Sequence, residues 1–155
     1  MAGPQSILDY GAGQSQLVNR LIAPRAKIRH QYDPAIPAIS TIPNGSYDIV
    51  ISVDVLEHLD EPEIDAVLAD IKRLSDRAIL VADTRPASAI LPNGENAHAT
   101  IQPSSWWAGK IASVFPDSKQ IATVGSNAIF TTWRPPLWQT IAANILKPFL
   151  RTGEH

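Results

Sequence analysis

Asp9-x-Gly11-x-Gly13 follows a short apolar run and precedes a periodic segment, so a carboxylate and two glycines stand where a strand would turn into a helix. Glycines at such a turn let the backbone bend tightly and approach a ligand closely, with Ala12 between them. A dinucleotide fingerprint needs another glycine three residues after Gly13, and Gln16 occupies that place, so a pyrophosphate ligand is disfavoured. Asp33, closing the next alternating run, can accept both hydroxyls of a ribose, at roughly 1.5–3 kcal/mol per charge-assisted bond. Plainer uses compete with both: Asp9 as a strand-end carboxylate taking local N–H groups, and Asp33 as an Asp-Pro turn former.

His58 and His98 also fall at expected strand ends, and each can titrate near neutral pH as a general base toward a hydroxyl or amine acceptor. For His58 the competing use is a bond to local backbone. Arg85 and Asn96 are acceptor-side candidates, Arg85 as a partner for an acidic substrate or simply as a solvated strand-end arginine. Trp106 and Trp107 are consecutive, so on a helix they point about 100° apart; Trp107 is expected in the core and Trp106 in the wall of an acceptor pocket. No metal-ligand set is assigned, and the absence of cysteine removes thiolate sites, disulfides and cysteine nucleophiles together.

The elements that must position these groups follow from periodicity. Ile7 to Tyr10 reads as a strand, and Leu17, Val18, Leu21 and Ile22 as one face of a helix stopped by Pro24. Lys27 to Tyr32 alternates as a second strand, and residues 34–47 read as loop with at most a scrap of strand. Tyr47 to Val53 is a nearly continuous β-branched run, the pattern of a central strand buried on both faces. Asp60 and Glu63 form a capping box ahead of Ile64, Val67, Leu68, Ile71 and Leu74, which repeat along one helical face. Ala78 to Ala82 is a strand, Ser104 or Ser105 opens a helix through Phe115, and Ile121–Val124 with Ala128–Trp133 flank a hairpin turn. A last helix is expected from about Leu137 to Leu146.

This order implies an α/β fold, a doubly wound and mostly parallel sheet whose C-terminal hairpin adds an antiparallel strand pair at one edge. In such sheets the ligand lies across the carboxyl ends of the strands, where every candidate above falls. The 155 residues, 45% hydrophobic, suit a single domain spanning 1–155. A net charge of −2 gives no global basic field, so no nucleic-acid partner is expected. No apolar stretch approaches a membrane span and MAGPQS does not read as a secretory signal, so a cytoplasmic protein is expected.

Ile7-Leu8-Asp9-Tyr10-Gly11-Ala12-Gly13 together with Tyr47-Asp48-Ile49-Val50-Ile51-Ser52-Val53-Asp54-Val55-Leu56-Glu57-His58 resembles the class I S-adenosylmethionine-dependent methyltransferases. The second block is the more specific, matching the Asp-hydrophobic-Val strand and Val-Leu-Glu-His of many small-molecule members. The likeness covers roughly residues 6–85, and the later Leu91 to His98 and Trp106-Trp107 resemble a bacterial and phage-associated branch. It implies a Rossmann-like methyltransferase fold with S-adenosylmethionine as cofactor. Asp9, Gly11, Ala12 and Gly13 would cradle its methionine part, Asp33 its ribose, and Asp54 and Val55 its central region. Two departures stand out: Ser15 replaces a frequent third glycine, and only 14 residues separate Asp33 from Asp48, where family members fit a helix, a strand and another helix. One edge of the sheet is therefore expected to be reduced, with the adenine near Ile39 to Pro43.

Several subclasses are disfavoured. Asp54-Val55-Leu56-Glu57 is not the Asn/Asp-Pro-Pro-aromatic signature of DNA amino-methyltransferases. Only Glu57 stands where protein arginine methyltransferases need two glutamates, and Asp83-Thr84 replaces the Asp-Asn pair of metal-dependent catechol-type enzymes. The expected acceptor is a small molecule, a sugar or lipid intermediate, or a protein end group. A nicotinamide oxidoreductase is a weaker alternative, lacking Tyr-x-x-x-Lys. The main rival is a degenerate cofactor-binding partner module without catalysis, and Leu137, Trp138, Ile141, Ile145 and Leu146 offer either core packing or a homodimer face.

Overall fold

The computed structural model describes residues 3–133. The β-strands are β1 (Ser6–Tyr10), β2 (Ile28–Tyr32), β3 (Ile49–Val53), β4 (Ala78–Asp83), β5 (Lys119–Val124) and β6 (Asn127–Thr131). They form one sheet in the order β2-β1-β3-β4-β6-β5. The first four run parallel, and β6 pairs antiparallel with both β4 and β5. The expected α/β architecture and its antiparallel hairpin edge are both present. Gly125 (φ 63°) opens the two-residue hairpin turn before Asn127, the glycine-first geometry that matches strand twist.

Alternation along the strands divides the core. Leu8, Tyr10, Val50, Leu80, Ala82 and Phe130 face helices α2 (Glu61–Leu74) and α3 (Ser104–Val114). Ile64, Leu68, Ile71 and Leu74 of α2, and Trp107 and Ile111 of α3, are fully buried there. On the opposite face Ile7 and Ile51 meet Leu17 and Val18 of the single-turn helix α1 (Leu17–Arg20).

Helix α1 is shorter than its apolar spacing predicts. Leu21 is already extended, Ile22 is 84% exposed, and the Arg29 guanidinium from β2 takes the carbonyls of Val18, Leu21 and Ala23. A cation from a neighbouring strand thus terminates the helix where its own sequence would continue it. The capping box of α2 forms as expected: Asp60 Oδ1 accepts the Glu63 N–H at 3.0 Å and Glu63 Oε2 accepts the Asp60 N–H at 3.1 Å. Asp60→Ala is expected to cost about 1 kcal/mol, read as a lower denaturant midpoint at unchanged slope.

The short interval after β2 holds only a 3-10 turn, Pro37–Ile39, so β2 is the sheet's edge. The final helix expected near Leu137–Leu146, with its dimer-face alternative, lies outside the described residues. No helix among the described residues is long and apolar enough to cross a membrane.

Candidate functional site

The carboxyl ends of β1, β2, β3 and β4 carry two adjoining groups of side chains. The first surrounds the glycine turn. Asp9, only 2% exposed, sits on the α1 face of β1, where the Val18 N–H bonds its carboxyl while Oδ2 has no partner. Burial, and more weakly the charge of Asp33, pushes this carboxyl up to about 6. Gly11 (φ 75°) and Gly13 (φ 52°) both take left-handed backbone. At Gly11 a Cβ would stand 2.4 Å from Val55 Cγ2, so this glycine allows close approach of the β3 end as well as the bend.

The turn is tied to β2. The N–H groups of Gly11 and Ala12 donate to the Tyr32 carbonyl at 2.8 and 3.0 Å, and the Gly13 N–H donates to Asp33 Oδ2 at 2.8 Å. Asp33 Oδ1 accepts the Ala35 N–H at 2.9 Å. The turn-forming role of Asp33 is therefore present, and it places a partly exposed carboxylate beside the glycine turn.

The second group lies past β3. Asp54 has φ 60°, the one positive φ at a non-glycine residue among those described. Such a backbone costs on the order of 1–3 kcal/mol and persists only where its surroundings enforce it. A 3-10 turn, Leu56–His58, follows and turns Leu56 and Glu57 inward. His58 Nε2 is 3.8 Å from Asp54 Oδ1, and His58 Nδ1 contacts the Ala97 carbonyl at 2.8 Å. His98, 7% exposed, has Nδ1 2.6 Å from the Arg85 carbonyl, and the two imidazoles meet edge-on with centroids 4.9 Å apart. The interaction with Asp54 pushes His58 up to about 9, so the free imidazole is protonated at neutral pH and is a poor proton acceptor there.

Glu57 is absent from the sequence-derived site, yet it is fully buried at its centre. Its Oε1 accepts the Asp83 N–H at 2.7 Å, Oε2 has no partner, and burial raises the carboxyl to about 7. The available signal was a charged residue directly after buried Leu56 at the end of a central apolar strand.

Asn96, Arg85, Trp106 and Trp107 complete the sequence-derived candidates. Asn96 closes the 87–98 segment: its Oδ1 accepts the N–H groups of Ala87 and His98, and its Nδ2 donates to the Ala87 carbonyl. Its amide is thus occupied by backbone groups that would otherwise lack partners. Arg85 donates from its guanidinium to Ser126 Oγ at 2.9 Å, whose hydroxyl donates to Asp83 Oδ2, and its carbonyl lies 2.6 Å from His98 Nδ1. Trp107 is core, as expected. Trp106 is half-buried, edge-on to Trp107 and under the Lys110 ammonium, which also pairs with Glu61 and Asp65 of α2. No metal ligand was expected from the sequence, but Asp54, His58 and His98 converge. A cleft of about 510 Å3 opens at the opposite, amino-terminal end of the strands, between Lys72, Asp76, Phe115 and Thr132. It contains none of these groups.

Solved structures of other proteins share this fold. An O-methyltransferase family protein from Burkholderia thailandensis superposes with a TM-score of 0.63 at 14% identity, over 86% of this chain and 52% of that one. Human N-acetylserotonin methyltransferase in complex with SAM gives 0.62 at 14% identity, over 85% and 48%. The methyltransferase domain of bacterial CtHen1-C gives 0.58 at 14% identity, over 86% and 91%. The fold is the Rossmann-like methyltransferase fold. This chain spans about half the length of the first two of these proteins. No family model and no curated protein matches the sequence.

Proposed function

We propose that this chain is an S-adenosylmethionine-dependent methyltransferase acting on a small-molecule or sugar- or lipid-intermediate acceptor. The observation that carries the reading is the buried, partnerless Oδ2 of Asp9 beneath a glycine turn whose neighbouring strand ends in Asp33. A buried carboxylate oxygen without a donor is costly unless a ligand cation completes it. The methionine end of the cofactor supplies such a cation, and Gly11, Ala12 and Gly13 let it approach. Asp33 stands one strand over, where a ribose would meet its carboxylate, and Asp54 and Val55 border the space between turn and acceptor. Bound there, the cofactor supplies a methyl already activated by its sulfonium.

The protein's task is then alignment, and proximity and orientation alone can lower a barrier by roughly 7–11 kcal/mol. His98 faces the acceptor side with its ring fixed by the Arg85 carbonyl, and it is assigned to take a proton from a hydroxyl acceptor. The neighbouring structures are methyltransferases, several named for oxygen acceptors, which supports this reading over an amine acceptor. A cytoplasmic location and action as a homodimer remain part of the proposal.

Isothermal titration with S-adenosylmethionine and S-adenosylhomocysteine, with NADH as control, tests it. Micromolar binding of the first two and none of NADH is expected, with Asp33→Ala weakening both. Absence of binding by the folded wild-type chain would favour the degenerate partner module, for which the missing elements between Asp33 and Asp48 are the specific motive.

A further inference from the structure

We propose that Asp54, His58 and His98 bind a divalent first-row transition cation. One ligand atom from each residue lies within 4.8 Å of the others, although His98 is 40 residues from His58 in the chain. Coordination at about 2.0–2.2 Å brings such atoms closer together, and the exposed Asp54 side chain has room to make that adjustment.

The hydrogen bonding of both rings is what a metal site requires. Each Nδ1 faces a backbone carbonyl, Ala97 for His58 and Arg85 for His98. A carbonyl can only accept, so each Nδ1 carries the hydrogen, and in the neutral rings Nε2 holds the lone pair. Metal-binding histidines characteristically donate their other N–H in this way.

Glu57 supplies an independent indication. It is fully buried next to His58 in the chain, and its Oε2 has no partner. A dication at the cluster would balance both carboxylates. An Asp54–His58 ion pair alone accounts for neither the arrival of His98 nor the orphaned oxygen of Glu57.

The scaffold around the cluster is also fixed. The Thr100 N–H donates to the Glu57 carbonyl at 3.0 Å and its hydroxyl to the Leu59 carbonyl at 2.7 Å, fastening the loop carrying His98 to the turn carrying His58. Two imidazoles with carboxylate oxygens and no thiolate suit Mn2+, Fe2+, Co2+ or Zn2+ better than an all-oxygen site suited to Ca2+. Three protein ligands leave positions open. If the methyltransferase reading holds, an acceptor oxygen would take one of them and release its proton more readily there, in place of proton removal by His98, whose Nε2 the ion would occupy; ion binding itself does not depend on that reading.

The test uses Mn2+ alone, with no methyl donor. Titration followed by the loss of the free-ion paramagnetic resonance signal is expected to give one Mn2+ per chain, with pulsed resonance showing two imidazole nitrogens coupled to it. Asp54→Asn, at an exposed position, and His98→Ala are each expected to weaken binding by at least about tenfold. Melting curves in chelator establish that the variants fold. Failure of the folded wild-type chain to bind Mn2+, Co2+ or Zn2+ would overturn the proposal, as would Mn2+ binding with no nitrogen coupling or with unchanged affinity in Asp54→Asn.

Discussion

Asp9→Asn is expected to weaken S-adenosylmethionine binding by roughly 10–150-fold while making the folded chain more resistant to heat above pH 6. Both effects arise from the same buried carboxyl. Its folded value of about 6 lies above the ordinary 3.8, so the fold prefers the protonated form. The stability this preference confers is fully present below about pH 4 and is lost as pH rises to about 6, because the unfolded chain releases the proton first. The interval corresponds to about 3 kcal/mol, or roughly 6–12 °C in melting temperature for a chain of this size. The melting-temperature difference between variant and wild type should therefore widen between pH 4 and 7. A ligand cation at Oδ2 favours the ionised form, so wild-type affinity should fall about tenfold per pH unit below 6 and the variant's should not. A wild-type affinity indifferent to pH between 5 and 7 would remove Asp9 from the cofactor site.

Gly11→Ala carries the largest expected loss of stability. The new methyl group enters a left-handed backbone, which costs about 1–2 kcal/mol, and it collides with Val55 at 2.4 Å, an overpacking of about 1–3 kcal/mol. The combined loss of about 2–5 kcal/mol is a large fraction of the stability of an ordinary domain. Val55→Ala removes the colliding atoms but leaves the backbone cost. The double variant should therefore be more stable than the sum of the single losses predicts, by roughly the overpacking share. Simple additivity in denaturant melts would mean that Gly11 and Val55 do not share this contact.

What the sequence made legible is the part written in local pattern. Asp9, Gly11, Gly13 and Asp33 were readable because a strand, a turn and a second alternating strand are consecutive, and parallel pairing then sets their ends side by side. The capping box at Asp60 and Glu63 spans four residues and involves no tertiary partner. The 14-residue interval after Asp33 announced the shortened sheet edge directly.

What stayed hidden depends on distant backbone. The end of α1 is set by Arg29 on another strand, so the apolar spacing through Ile22 misled. The bonds of Asn96 to the Ala87 carbonyl and of Arg85 to the Ser126 hydroxyl are not marked in the sequence. The meeting of His98 with His58 requires a loop closed by Asn96 and fastened at Thr100. Asp54 and His58 at i and i+4 were visible, but their third companion and the inward turn of Glu57 were not.

The left-handed backbone at Asp54 separates what folding selects from what activity selects. At this position glycine relieves the strain and asparagine tolerates it, whereas β-branched or bulky residues aggravate it. Under selection for folding alone, the position would drift toward glycine or asparagine. Glycine or asparagine there would keep the fold and remove the carboxylate, so a library of Asp54 substitutions is expected to be ranked in different orders by a solubility screen and by an activity screen.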